Sequence, residues 1–98
     1  MDKNQVIAIL RENLQRLRDR FVRSIAIFGS VARNEATAAS DVDLLVEFES
    51  GHPRGLFEFL SLQGFLEDLL GCRVDLVMRD SLRPELRDRI LQEAIRAA

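Results

Sequence analysis

The chain has 98 residues, 47% apolar and 31% charged, the balance of a single soluble domain with one core over residues 1–98 and no room for a second lobe. A net charge of −2 gives no global pull toward nucleic acid or a membrane surface. One cysteine, Cys72, excludes an internal disulfide framework, and no apolar run reaches membrane-spanning length; with the polar start Met1-Asp2-Lys3-Asn4, a cytoplasmic protein is expected.

The first segment predicts an amphipathic helix from about Lys3 to Arg20, with Val6, Leu10, Leu14 and Leu17 on one face. Val22 to Phe28 (VRSIAIF) is β-branched and apolar and predicts a strand ending at Gly29-Ser30. Ser30 to Ala39 is small and polar, a short helical turn followed by a loop. From Asp41 to Phe48 the chain alternates: Val42, Leu44, Val46 and Phe48 face one way and Asp41, Asp43, Leu45 and Glu47 the other.

Gly51, His52, Pro53 and Gly55 mark a turn. Leu56 to Leu70 predicts a second long helix stopped by Gly71. Arg73 to Met78 predicts a third strand, with Val74, Leu76 and Met78 opposed to Arg73, Asp75 and Val77. Asp80 or Ser81 caps a last helix with Pro84 in its first turn, carrying Leu86, Ile90, Leu91, Ala94 and Ile95 inward. The order α-β-(α)-β-α-β-α predicts an α+β fold: a small mixed three-stranded sheet backed by helices.

The chemistry concentrates in Gly29-Ser30, ten further residues, and Asp41-Val42-Asp43. A glycine at a strand end lets a phosphate approach the backbone, and Ser30 adds a hydroxyl and, where a helix begins, free N–H groups. Asp41 and Asp43, two apart on a strand, project from one face about 6.5–7 Å apart and can converge on Mg²⁺. Asp75 joins them if its strand is a neighbour. Clustered carboxylates beside a phosphate cradle point to two-metal phosphoryl or nucleotidyl transfer. Asp75 is the candidate for orienting or deprotonating the acceptor hydroxyl.

Gly29-Ser30-Val31-Ala32-Arg33, Glu35-Ala36 and Ser40-Asp41-Val42-Asp43-Leu44-Leu45-Val46 resemble the signature of the DNA-polymerase-β-like nucleotidyltransferase superfamily. The likeness is nearest to the minimal nucleotidyltransferases, the antitoxin half of HEPN–MNT toxin–antitoxin pairs, and Val74-Asp75-Leu76-Val77 extends it along nearly the whole chain. The resemblance implies that Gly29 and Ser30 hold the triphosphate of ATP and that Asp41, Asp43 and Asp75 bind two Mg²⁺ ions beside the acceptor. It implies transfer of AMP to a tyrosine of a HEPN ribonuclease toxin, in a hetero-oligomer with that toxin, with a homodimer as the expectation for the protein alone. The chain has no tyrosine, which agrees with an acceptor on another molecule. Asn34 stands where relatives commonly have glycine, at a turn that asparagine also tolerates.

Other residues carry plainer expectations. Arg33 either reaches the triphosphate or a partner, or pairs with Glu35 on the surface. Glu47 is a solvated rim residue, His52 a loop spectator and Cys72 a packed thiol. The surplus apolar residues of Leu56 to Leu70 serve the core or a partner surface. Two other functions fit the same residues: transfer to a small molecule, which needs a further substrate-binding domain or a dimer, and an antitoxin that masks its toxin by contact alone.

Overall fold

A computed structural model describes residues 1–37 and 39–98. Helix α1 (Lys3–Glu12) opens with a reciprocal cap: Asp2 accepts the Gln5 N–H and the Gln5 side chain accepts the Asp2 N–H, each at 2.9 Å. The expected single helix to Arg20 is interrupted at Asn13, whose side chain donates to the Ile9 carbonyl at 2.8 Å; α2 (Leu14–Asp19) then restarts the helix. An asparagine side chain that bonds its own backbone competes with continuous helix, and this is the physical reason for the break. Val6, Leu10 and Leu17 nevertheless all reach the core.

Strand β1 (Val22–Phe28) leads into the single turn α3 (Gly29–Ala32). Strand β2 (Val42–Phe48) runs antiparallel to β1, pairing Ile25 with Val46, Ile27 with Leu44 and Phe28 with Asp43. Helix α4 (Leu56–Leu70) ends at Gly71, whose left-handed backbone (φ 69°) lets its N–H close on the Glu67 carbonyl at 2.8 Å. The helix then crosses over to β3 (Val74–Met78), which lies parallel to β2. Parallel neighbours need such a crossover, and α4 supplies it.

A 3₁₀ turn (Arg79–Ser81) precedes α5 (Pro84–Glu93). Asp80 and Ser81 lie in that turn and do not cap the helix; the position before Pro84 is Arg83, which offers no side-chain cap. The expected helix also runs too far. Ile95–Arg96 forms a short fourth strand, β4, antiparallel to β1, and the sheet order is β3-β2-β1-β4. Two residues are too few to show a strand period, and only the open edge of β1 makes them a strand. The pairing continues past it: the Ala97 N–H donates to the Ile25 carbonyl at 2.9 Å and the Ile25 N–H to the Ala98 carbonyl at 3.1 Å. No residue of α5 is fully buried, and Leu86, expected inward, is 46% exposed.

The core lies between one face of the sheet and α1, α2 and α4. Val42, Leu44 and Val46 of β2 meet Ile25 and Ile27 of β1, Val74 and Leu76 of β3, and Leu62, Leu66 and Leu70 of α4. Strand alternation therefore sends Asp43, Leu45 and Glu47 to the other face, where α5 forms a partial roof along one side.

Candidate active site

Asp43 and Asp75 are register partners on the parallel strands β2 and β3, so both leave the uncovered face side by side. Asp41 stands one residue before β2 and is exposed, as is Asp75, while Asp43 is half-buried. Burial raises the Asp43 carboxyl above its ordinary value, the neighbouring carboxyls of Asp75 and Asp41 raise it further, and Arg33 partly opposes them. A proton or a cation relieves that repulsion.

Gly29 abuts the same carboxylate. Its backbone is left-handed (φ 72°), and a Cβ built there would overlap the Asp43 carboxylate oxygen and stand 2.9 Å from Cγ. Only glycine lets the strand end and the acid approach so closely. Ser30 follows as the second residue of α3, half-buried. Asn34, just past α3, has φ 59°, the left-handed conformation expected of that turn.

Arg33 holds both Glu35 (Nε to Oε2, 3.0 Å) and Glu93 (Nη1 to Oε1, 3.1 Å), and these bonds lift its pKa above the ordinary arginine value. Glu93 also accepts the Gly29 N–H at 3.1 Å. Sequence reasoning had no access to Glu93. It lies 64 positions from Gly29 on a helix with charged residues around it, and only the packing of α5 against α3 brings the two together.

Along the same face, Ser24, Ala26, Leu45 and Glu47 floor a groove of about 340 Å³ beside Leu91 of α5 and Ala94 just past its end. Arg23, Arg79 and Arg96 also line it, and Arg79 pairs with Glu47 at 3.4 Å. Glu47 is thus the floor of a basic groove on the aspartate face. His52 is structural: its ring stacks on Phe21 at 3.8 Å and its Nδ1 meets Glu58 Oε1 at 2.6 Å, holding the loop to the start of α4. Burial pushes the Cys72 thiol up, away from the reactive thiolate form.

Among the described residues there is no group of three His, Cys, Asp or Glu side chains placed to hold a metal ion. Mg²⁺ does not require one, since it keeps waters and usually takes one or two carboxylates together with substrate phosphates. Asp43 and Asp75 in register, with Asp41 adding to the charge at Asp43, fit that donor set.

A mixed sheet carrying register-paired aspartates beside a strand–glycine–helix turn is the architecture of a nucleotidyltransferase. The family model "Nucleotidyltransferase domain" matches residues 7–97, and the chain belongs to that family. Its relatives include protein adenylyltransferase MntA of Thermococcus cleftensis, 45% identical over 92 residues that cover 93% of this chain and 91% of that protein. A protein assigned as a protein adenylyltransferase in Methanocaldococcus jannaschii is 38% identical and covers 94% of each chain. A solved structure classed as a minimal nucleotidyltransferase superposes with TM-score 0.81 at 43% identity, covering 97% of this chain and 95% of its own. A toxin–antitoxin crystal structure with AMP-PNP shares the fold, with TM-score 0.70 at 22% identity over all of this chain and 73% of that one.

Proposed function

We propose that this nucleotidyltransferase is a Mg²⁺-dependent protein adenylyltransferase that moves AMP from ATP onto a tyrosine of a HEPN toxin and so acts as its antitoxin. The single observation that carries the catalytic reading is the meeting of Asp43, Asp75 and Gly29: two carboxylates in register with a glycine turn pressed against one of them. The protein acceptor is supported by the names of relatives at 38–45% identity. The absence of tyrosine from this chain agrees with an acceptor in trans. The toxin partner and a hetero-oligomer with it follow from the resemblance of the Gly29–Arg33 and Ser40–Val46 segments. A cytoplasmic location suits that partnership, and no described helix is long and apolar enough to cross a membrane.

Asp41, Asp43 and Asp75 would hold two Mg²⁺ ions, which supply charge neutralisation at the attacking and leaving oxygens. Gly29, Ser30 and Arg33 bind the triphosphate through N–H, hydroxyl and guanidinium donors. Asp75, exposed at the site, orients the acceptor hydroxyl and takes its proton. The acceptor oxygen forms a bond to the α-phosphorus while the bond from that phosphorus to the bridging oxygen breaks, and pyrophosphate leaves.

The test is intact-mass spectrometry of the co-purified native partner after incubation with this protein and MgATP. One or more added AMP masses, absent with Asp43→Asn, is the expected result. An unchanged partner mass in the presence of demonstrated ATP binding would overturn the transferase reading. Neutralisation by contact alone is favoured by one observation, the exposure of Leu56 and Phe57, 70% and 90% exposed at the start of α4. Full neutralisation by an Asp41→Ala, Asp43→Ala double variant would select that reading instead.

A further inference from the structure

Glu93 is the last residue of α5, and its carboxylate sits where an anion is needed. Oε1 accepts the Gly29 N–H at 3.1 Å and Arg33 Nη1 at 3.1 Å, and Oε2 accepts the same Nη1 at 3.2 Å. These donors are the backbone N–H of the first residue of α3 and the guanidinium of the residue just past it, two of the groups assigned above to the triphosphate. A carboxylate and a phosphate edge present the same pair of acceptor oxygens to such a fork.

We propose that Glu93 is an internal competitor for the triphosphate: it fills the Gly29–Arg33 donor set in the nucleotide-free protein and must swing out when a nucleoside triphosphate binds. The inference rests on the reading of this turn as the triphosphate cradle.

Three observations separate this role from simple bracing of the fold. The chain end beyond Glu93 is already fixed to β1 by the Ile95–Arg96 pairing and by the Ala97 and Ala98 backbone bonds. Arg33 already has a partner in Glu35 at 3.0 Å, so its charge does not require Glu93. The Arg33 and Glu93 side chains keep 45% and 27% of their surface in water. An ion pair that exposed is weak and easily exchanged, and a triphosphate with several charges outcompetes a single carboxylate. The competitor therefore sets a threshold: ligands with one or two negative charges gain less by displacing Glu93 than a triphosphate does. It also ties occupancy of the cradle to the end of α5, two residues before the edge strand β4.

The experiment is calorimetric titration of the full chain with ATP and with inorganic tripolyphosphate, each with Mg²⁺, for wild type, Glu93→Gln and Arg33→Ala. Glutamine keeps an acceptor for the Gly29 N–H but removes the charge. Glu93→Gln is expected to bind both ligands about 1.5- to fivefold more tightly, the range of a weak surface ion pair. Arg33→Ala is expected to bind both more weakly. Unchanged or weaker binding by a folded Glu93→Gln, with wild type binding normally, overturns the competitor alone. No binding by folded wild type or variant overturns the cradle reading and the competitor with it. A second readout uses wild type only: the carboxyl-carbon resonance of ¹³C-labelled Glu93 should move to that of a solvated carboxylate as tripolyphosphate saturates. A Glu93 resonance that stays fixed while the Gly29 amide shifts also overturns the proposal.

Discussion

At Asp43 stability and chemistry make opposite demands. The side chain is half-buried against Gly29 and shares its face with Asp75, so its ionised form is disfavoured twice. A carboxyl whose folded-state pKa is raised stabilises the fold below the unfolded pKa, and that contribution is lost as pH rises through the folded value. At neutral pH the ionised Asp43 therefore costs stability. Asp43→Asn should raise the metal-free melting temperature at pH 7 by a few degrees while abolishing transfer. That gain should vanish as pH falls toward the ordinary carboxyl value of 3.8, where wild type is neutral at this position too. Thermal melts from pH 3.5 to 7.5 check this; a variant less stable than wild type at pH 7 would refute it. Strand alternation made the facing of Asp43 and of Asp75 legible within each strand, whereas their register pairing depends on β2 and β3 being neighbours, and Asp41, expected on the strand, stands one residue before it. Arg33 was only half legible. Its pairing with Glu35 is local, whereas its pairing with Glu93 depends on how α5 packs.

The elements divide the same way. β1, β2, α4 and β3 begin and end within a residue or two of where periodicity puts them, since each has a run long enough to show its period and a glycine or polar break to stop it. The misses lie where a single contact outweighs the pattern. Asn13 breaks the first helix by bonding the Ile9 carbonyl, and β1 recruits Ile95–Arg96 out of the last. Helix α4 holds the sheet from beneath through Leu62, Leu66 and Leu70, with Leu66 fully buried. Leu66→Ala should cost about 2–5 kcal/mol. In a chain of this size that lowers the melting temperature by at least about 8 °C. Circular-dichroism melts measure it, and a loss under about 1 kcal/mol would mean that α4 is not seated on the sheet as described.

For the molecule as a whole, the fold class was readable but the closure of the sheet was not. Alternating helix and strand signals require a small sheet backed by helices. Strand order, the parallel pairing of β2 with β3 and the antiparallel fourth strand are products of tertiary packing that no local period encodes. The same packing makes the two faces unequal. One carries every large fully buried side chain, and the other has α5 along one side and no second lobe within these 98 residues.

That inequality has a consequence for fidelity. A transferase with a walled cavity keeps solvent from the reacting phosphorus; this one exposes Asp41 and Asp75 to solvent. On the proposed activity, a water molecule is a rival acceptor, and the partner must win by being held in place, not by water being shut out. Held reactants gain orders of magnitude over free ones, so pyrophosphate release from MgATP alone should run at least about 100-fold slower than with the partner present, yet be measurable. A coupled pyrophosphate assay with and without partner reads this leak directly. Equal rates in both would make the protein a hydrolase, and its partner a bystander.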